Sequence, residues 1–91
     1  MKLKIIPSNQ FKKDLKLAQK RGYALDRLSY VVDRLASGET LDMRYKDHAL
    51  TGIYKGCREC HITPDWLLVY QVKDEELLLI LIRTGTHSDL F

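Results

Sequence analysis

The segment HITPDWLLVYQVKDEELLLILIRTGTH, residues 61–87, decides the fold of this 91-residue chain. It contains two apolar runs, residues 66–72 and 77–82, which are separated by the polar turn KDEE. Two apolar runs joined by a short polar turn predict a β-hairpin. Because both runs are apolar at successive positions, both faces of each strand should be buried. We therefore expect these two strands in the centre of a sheet.

A hairpin brings its two ends together, and the ends of this one carry polar residues suited to chemistry. His61 and Asp65 lie at its start, and Arg83 and His87 lie at its finish. Histidine takes up and releases protons near neutral pH, and arginine binds phosphate through a planar set of N–H donors. One histidine alone is more often structural, so the prediction of a site depends on the convergence of several such residues at one edge.

The residues before this hairpin are predicted to form its scaffold. Residues 3–6 are typical of a short first strand, and Ser8 is typical of a helix N-cap. Helices are predicted from there to about residue 21 and over residues 25–36, each followed by a glycine stop signal. The short turn between them predicts two antiparallel helices packed as a helical hairpin.

The segment between the helices and the long hairpin completes the predicted fold. Residues 39–50 lack a periodic apolar pattern and should form an irregular connection that contains His48, and two further strands are predicted at 53–55 and 57–62. The chain should therefore form one α+β domain over residues 1–91. We expect an N-terminal strand and an antiparallel helix hairpin packed on one face of a mostly antiparallel sheet of four or five strands, with a short C-terminal helical turn or tail. The other sheet face should line a groove or meet a partner.

The basic residues are concentrated near the N-terminus. The chain has 15 lysines and arginines against 12 acidic residues, a net charge of +3, and residues 2–20 contain six lysines but one aspartate. Such a cluster predicts a polyanionic partner, and a solvated helix face explains it equally well. No apolar run is long enough to span a membrane and no signal-peptide core stands at the start, so a soluble, cytoplasmic protein is expected.

Cys57 and Cys60 form a single CxxC motif. A structural zinc site would need two further ligands, and adjacent His61 should point to the opposite face of a strand. A redox CxxC normally lies at a helix N-terminus, whereas this one lies in a predicted strand. We therefore expect buried or half-buried thiols.

The histidines, arginine and aspartate together suit the cleavage of a phosphodiester bond in RNA. A general base would deprotonate the ribose 2′-OH, a cation would stabilise the charge that develops at phosphorus, and a general acid would protonate the leaving 5′-oxygen. This reaction needs no metal ion or other cofactor, and the sequence has no carboxylate cluster with the spacing of a metal site. DNA lacks the 2′-OH and should not be cut by this route.

Two residues in this region have open roles. Arg83 would bind a phosphate, or it would pair with a carboxylate of the fold such as Asp65. Trp66 is more typical of a core residue, although it would stack on an RNA base if its sheet face were open.

Four segments of the chain resemble one protein family. They are FKKDLKLAQKRG (11–22), YKDHALTG (45–52), CRECHITPDWLLVY (57–70) and RTGTHSDLF (83–91), and they are distributed along nearly the whole chain. They resemble the YafQ branch of the RelE-type toxins of bacterial toxin–antitoxin pairs. The resemblance implies an endonuclease that cuts mRNA in the A site of the ribosome and so inhibits translation. It also implies a small antitoxin protein that wraps the enzyme and covers its active site. The chain alone would bind neither membrane nor DNA, and the toxin–antitoxin complex would reach operator DNA through the antitoxin.

The resemblance also implies roles for individual residues at the matching motif positions. His87 would be the general acid, and His48, His61 and Asp65 would lie on the side of the general base. The expected catalytic residues are His48, His61, Asp65, Arg83, His87 and Phe91. The expected contacts with RNA or the ribosome are Lys12, Lys13, Lys16, Lys20, Lys46 and Trp66.

Two non-catalytic functions remain open from the sequence. The basic helix would serve equally well in an RNA- or ribosome-binding module without catalysis. An exposed sheet face would also suit a domain that binds a protein partner. Replacement of His87 and Arg83 separates the enzyme from the binding module, because only an enzyme has cleavage to lose. Expression of the chain alone separates it from the protein-interaction domain, because a toxin would arrest growth and an interaction domain would be harmless.

Overall fold

The strands form one mixed sheet in the computed structural model, which describes residues 2–91. They are β1 (Lys4–Pro7), β2 (His48–Ala49), β3 (Arg58–Thr63), β4 (Trp66–Lys73) and β5 (Leu78–Gly85). Their order across the sheet is β1-β5-β4-β3-β2, and each neighbouring pair is antiparallel except β1 and β5, which run parallel. The predicted α+β class, the mostly antiparallel sheet and the central position of the two hairpin strands are therefore confirmed.

The two predicted helices form α1 (Asn9–Lys20) and α2 (Leu25–Ala36), and a short C-terminal helix, α3, spans His87–Leu90. Ser8 caps α1, because its side chain accepts a hydrogen bond of 3.0 Å from the backbone N–H of Phe11. Gly22 follows α1 with a φ of +77°, the left-handed conformation that glycine adopts most easily after a helix. The predicted helix ends are confirmed to within one residue.

The main core lies between the helices and one face of the sheet. Side chains of alternate residues in β4, including Trp66, Leu68 and Tyr70, are at most 3% exposed and pack with buried residues of α1 and α2. The intervening residues Leu67 and Val69 are also buried, but on the opposite face, where they pack in a second, smaller cluster. Since burying one large apolar side chain contributes about 1.5–3 kcal/mol, the sequence of β4 strongly favours this central position.

The second cluster is covered by short segments outside the main helices. Leu90 of α3 is 4% exposed and packs on Leu67 and Val69, with Tyr54 and Ile82 at the margin. In the part of the chain that the structure describes, only α3 and the residues around Tyr54 cover this face of the sheet. Polar residues occupy the part of the face that they leave uncovered. None of the helices within residues 2–91 has the length and apolar character needed to cross a membrane.

The segment before β3 differs from the prediction. Residues 53–55 were expected to form a strand, but Gly52–Tyr54 form a 3₁₀ turn. The glycines at 52 and 56 have φ angles of +69° and +90°, and the N–H of Lys55 donates to the carbonyl of Gly52 at 3.1 Å. The backbone hydrogen bonds are consequently satisfied locally rather than by a neighbouring strand.

His48 was expected in an irregular connection, but it begins the two-residue edge strand β2. It pairs with Glu59 of β3, and Ala49 pairs with Arg58. A strand of two residues is too short to produce an alternating pattern, so the sequence carried no signal for it.

Candidate active site

The candidate site lies on the sheet face that carries the smaller apolar cluster. The strand register aligns four residues, one from each of β2 to β5, in a single row: His48, Glu59, Val69 and Arg83. Residues directly opposed in antiparallel strands direct their side chains to the same face. Because neighbouring strands are about 4.8 Å apart, the two ends of this row are separated by roughly 14 Å. The row thus connects one predicted histidine to the predicted arginine.

Two histidines meet at Glu59, which is 5% exposed. One oxygen of its carboxylate, Oε1, lies 3.5 Å from Nε2 of His48 and 3.6 Å from Nε2 of His61. The other oxygen, Oε2, is buried and has no hydrogen-bond partner within residues 2–91. The structure therefore brings His48 and His61 together, as the hypothesis requires, around a carboxylate that the hypothesis did not include.

Backbone carbonyls orient both imidazole rings. Nδ1 of His48 lies 2.8 Å from the carbonyl oxygen of Lys46, and Nδ1 of His61 lies 3.4 Å from that of Pro64. A carbonyl oxygen only accepts hydrogen bonds, so each of these hydrogen bonds forms only in the tautomer that carries the proton on Nδ1. In that neutral tautomer Nε2 is unprotonated and would accept a proton from a substrate.

His87 begins α3, four residues after Arg83, and belongs to an aromatic group. It is exposed on the first turn of α3, and its ring stacks on that of Phe91 with centroids 4.9 Å apart at an angle of 29°. Phe91 also meets the ring of Tyr54 edge-on at 5.3 Å, and the Tyr54 hydroxyl donates to the carbonyl of Leu90 at 3.1 Å. The His87 ring makes no hydrogen bond within the described chain, and the residue is exposed.

The short helix α3 is fixed by polar contacts around Asp89. The Asp89 carboxylate accepts a hydrogen bond of 2.9 Å from the N–H of Thr86, and it pairs with Arg21 at 2.7 Å. These hydrogen bonds, with that of Arg21 first, hold the pKa of Asp89 well below its usual range. Gly85 is required beside it, because a Cβ atom there would lie 2.8 Å from the Asp89 carboxylate.

Arg83 pairs with a carboxylate of the fold, and that carboxylate is Asp14 rather than Asp65. Its Nε and one Nη donate to the two oxygens of Asp14 at 2.9 and 3.0 Å, a bidentate pair. The N–H of Thr84 donates to the same carboxylate at 3.1 Å. Burial alone would raise the pKa of Asp14, but hydrogen bonds from Arg83, Gln10 and Thr84 outweigh it, and the pKa is lowered. The Arg83 side chain remains 26% exposed.

Of two other predicted site residues, Asp65 is exposed and Trp66 is buried. Asp65 is exposed in the turn between β3 and β4, and it makes no ion pair or side-chain hydrogen bond within residues 2–91. Trp66 is 3% exposed, packs 5.0 Å from the ring of Tyr23, and donates its indole N–H to the hydroxyl of Thr84 at 2.8 Å. The expectation that Trp66 contacts RNA is therefore wrong, because its side chain belongs to the face covered by α1 and α2.

The lysines expected to contact RNA are all exposed. Lys12, Lys13, Lys16 and Lys20 lie on the outer surface of α1, while Asp14 on the same helix is buried. Lys46 ends the 3₁₀ turn Met43–Tyr45 with a left-handed φ of +49°. None of these five lysines forms an ion pair within the described chain, so their charges are not neutralised locally.

Sequence reasoning missed Asp14 and Glu59, although each had a signal. Asp14 falls on the apolar stripe of α1 between Phe11 and Ala18, where a charged side chain must find a partner. Glu59 stands two residues before His61, and residues at that spacing in a strand share one face.

The two cysteines are free thiols, as predicted, and they lie in different apolar clusters. Burial, with smaller contributions from Asp47 and Glu59, raises the pKa of Cys60 to about 12, which makes this thiol a poor nucleophile. Within residues 2–91 no group of three or more histidine, cysteine, aspartate or glutamate side chains is arranged to hold a metal ion.

Known proteins share the sequence of this chain over nearly its whole length. The family described as "Bacterial toxin of type II toxin-antitoxin system, YafQ" matches residues 3–91. The mRNA interferase toxin YafQ of Escherichia coli K12 is 46% identical over 85 residues, which cover 92% of this chain and 90% of that protein.

Two solved structures superimpose closely on the fold. A metal-bound toxin from Helicobacter pylori has a TM-score of 0.92 at 50% identity, covering 98% of this chain and 99% of that one. A chain of the E. coli DinJ-YafQ toxin-antitoxin complex has a TM-score of 0.90 at 43% identity, covering 100% of this chain and 99% of that one.

Proposed function

The chain belongs to the YafQ family, the toxins of bacterial type II toxin–antitoxin systems, and we propose that it cuts ribosome-bound mRNA by acid–base catalysis. As a member of this family it is an mRNA interferase toxin, which is an endoribonuclease. The single observation that carries the proposed mechanism is the row of His48, Glu59 and Arg83 on one sheet face, with His61 beside it. Family membership favours this enzyme over the two non-catalytic alternatives.

On the base side, His48 or His61 takes the proton of the ribose 2′-OH through its Nε2 atom. The hydrogen bond from Nδ1 to a backbone carbonyl leaves Nε2 free for this role, and Glu59 stabilises the imidazolium that forms. Asp65, exposed in the turn after β3, is expected to assist on this side. The oxygen of the deprotonated 2′-OH then attacks the adjacent phosphorus and displaces the 5′-oxygen of the next nucleotide.

On the acid side, His87 in its protonated form donates a proton to the leaving 5′-oxygen. Its ring is accessible, and stacking on Phe91 limits its orientation. Arg83 has five N–H donors, of which two bind Asp14, so three remain to stabilise the charge that develops on the phosphate oxygens. Asp14 thus fixes the guanidinium in place without exhausting its donors.

The experiment that tests this function measures the chemistry of the cut ends. We expect purified protein to cleave mRNA in a translating extract, leaving a 2′,3′-cyclic phosphate and a 5′-hydroxyl, and to leave the same mRNA intact when ribosomes are removed. A matched mRNA with one 2′-deoxynucleotide at the mapped cut site should resist cleavage there while other sites are still cut. Equal cleavage of the deoxy-substituted site would contradict the 2′-OH mechanism, and equal cleavage without ribosomes would contradict ribosome dependence.

The exposed lysines of α1 supply affinity for ribosomal RNA. In a variant with Lys12, Lys16 and Lys20 all replaced by Glu, ribosome binding should weaken most at low salt, because fewer counterions are released on binding. A plot of log affinity against log salt has a negative slope, and each lost phosphate contact makes it shallower by about 0.9. The loss of three contacts should therefore make the slope shallower by about 3. Binding is measured by sedimentation with ribosomes over a salt series. Lys73→Glu, at the opposite end of β4 from Trp66, is the control, and an unchanged slope in the triple variant contradicts the contact.

Glu59→Gln is expected to lower cleavage about tenfold while leaving the free energy of unfolding unchanged or higher. One contact to a charged group contributes about 1.5 kcal/mol, which corresponds to a tenfold rate change, whereas removal of a buried, half-satisfied charge relieves a desolvation cost. Glu75→Gln, in the exposed turn before β5, is the matched control. If Glu59→Gln lowered both the cleavage rate and the free energy of unfolding, the residue would have a structural role only.

An antitoxin protein is the second proposed partner. The E. coli relative is known in a toxin-antitoxin complex with DinJ, and this chain shares its fold over the full length. We infer that a cognate antitoxin binds the chain in the cytoplasm, where ribosomes act, and covers the exposed catalytic face. Operator DNA is then bound through the antitoxin, since the proposed contacts of this chain are with RNA.

A further inference from the structure

A cleft of about 700 Å³ opens beside His61, between α2, the 3₁₀ turn Met43–Tyr45 and the end of β3. We propose that this cleft binds a nucleotide of the mRNA strand that flanks the cleaved phosphodiester bond. The inference rests on the proposed function, because it places the substrate strand on the side of the base histidines. The volume falls in the range of small-molecule sites, about 300–1,000 Å³.

The charges lining the cleft favour a polyanion. Arg27, Arg44 and Lys46 line it, against a single acidic residue, Asp26. None of the three cations forms an ion pair within residues 2–91, whereas Arg21, Arg34, Arg58 and Arg83 all do. Cations that the fold leaves unpaired in a concave surface create a positive potential suited to a phosphate backbone.

The aromatic residues of the cleft favour a nucleotide over other anions. Tyr30 of α2 lines the cleft and is 50% exposed. Tyr45 also lines the cleft and is half-buried, with the guanidinium of Arg44 5.0 Å from its ring centroid and bonded to its hydroxyl at 3.2 Å. Exposed aromatic rings beside arginines are the platforms on which proteins stack the bases of single-stranded RNA.

The same segment fixes the cleft and one of the base histidines. Asp42 caps the 3₁₀ turn by accepting a hydrogen bond of 3.0 Å from the N–H of Arg44. Lys46 follows in its left-handed conformation, and its carbonyl oxygen lies 2.8 Å from Nδ1 of His48. His61 lines the cleft directly. A nucleotide held there would therefore be adjacent to the His61 imidazole, as the neighbour of the scissile nucleotide must be.

Two exposed residues allow a test that leaves the core intact. Tyr30→Ala removes the stacking ring and Arg44→Ala removes a cation, while Lys73→Ala removes a charge at the far end of β4. Stacking on one aromatic residue contributes about 1–3 kcal/mol per base, so we expect KM for ribosome-bound mRNA to rise about tenfold in Tyr30→Ala with a smaller change in kcat. Arg44→Ala should raise KM in the same way, and Lys73→Ala should match the unmodified protein.

The source of the RNA is decided by two further measurements on the same variants. If the cleft holds mRNA, the distribution of cut sites changes and ribosome affinity does not. If ribosome affinity falls and the distribution of cut sites is unchanged, the cleft binds ribosomal RNA and the proposal is overturned. Unchanged KM in both variants also overturns it.

A direct binding measurement separates this proposal from the proposed cleavage. A trinucleotide with a 2′-deoxyribose at its central position, titrated to millimolar concentration, should cause saturable NMR shift changes at Tyr30, Arg44 and His61. In the Tyr30→Ala variant the residues around position 30 should no longer show these shift changes. In the Lys73→Ala variant all of the shift changes should remain. If the unmodified protein cuts no mRNA but shows these shift changes, the cleavage proposal fails, while the proposal that the cleft binds a nucleotide still holds. If it cuts mRNA and the cleft shows no shifts, the cleft proposal fails alone.

Discussion

His87→Ala lowers the rate of mRNA cleavage by about 10²- to 10⁴-fold, the usual contribution of a positioned general acid or base. The ring is exposed, stacks on Phe91 and makes no hydrogen bond within the described chain. Its removal therefore takes away a proton donor without opening a cavity or leaving a buried polar group. Ribosome affinity and the free energy of unfolding should consequently stay within about 0.5 kcal/mol of those of the unmodified protein, as for other surface substitutions.

Two variants near His87 are compared with His87→Ala, one within α3 and one at the residue that follows it. Ser88→Ala, at the exposed neighbouring position, should cleave normally. Phe91→Ala should have an intermediate effect, because it removes the stacked ring that orients His87 but leaves the imidazole in place. Single-turnover cleavage on programmed ribosomes measures all three. Normal cleavage by His87→Ala would remove the general acid from the mechanism and require another donor for the 5′-oxygen.

Asp14→Asn is expected to lower the free energy of unfolding by about 2–3 kcal/mol at pH 7. The carboxylate is 8% exposed and accepts hydrogen bonds from Arg83, Thr84 and Gln10, so the change leaves a partly buried guanidinium without its counter-charge. For a chain of this length that loss is a large fraction of the total stability. Cleavage should also fall about tenfold, because Arg83 loses the pair that orients it.

The effect of Asp14→Asn should depend on pH in a defined direction. The pKa of Asp14 is lower in the folded protein than in the unfolded chain, so the carboxylate stabilises the fold above the unfolded pKa, which is about 3.9. That contribution is lost as the pH falls through the folded pKa. Urea unfolding of both proteins should therefore give a large difference at pH 7 and a shrinking one below pH 4.

Asp74→Asn, in the exposed turn between β4 and β5, is the control for Asp14→Asn and should show neither effect. A pH-independent difference between Asp14→Asn and the unmodified protein would contradict the charge-based explanation. The loss would then come from side-chain packing or from the altered hydrogen-bonding groups of the amide.

The central hairpin and the two helices were predictable because each has a strong local signal. The apolar runs of β4 and β5 are buried on both faces, and α1 and α2 have apolar stripes, a serine cap and glycine stops. The 3₁₀ turn at Gly52–Tyr54 and the two-residue strand β2 were not predictable. Their conformations depend on two glycine φ angles and on pairing with a strand ten residues further along the chain, and neither leaves a periodic pattern.

The candidate site divides in the same way. The sequence by itself determined which residue types are available for catalysis. It also predicted the hairpin, which brings His61 towards the end of β5, where Arg83 lies. Only the tertiary structure decided that Glu59 joins His48 to His61, that Asp14 holds Arg83, and that Trp66 lies in the core. The physical reason is that the identity of a side chain fixes what it is able to bind, whereas its partner is often distant in the sequence, as Asp14 and Arg83 are at a separation of 69 positions. Such contacts are set by sheet register and helix packing, so a local pattern indicates that a buried charge needs a partner but not which residue the partner is.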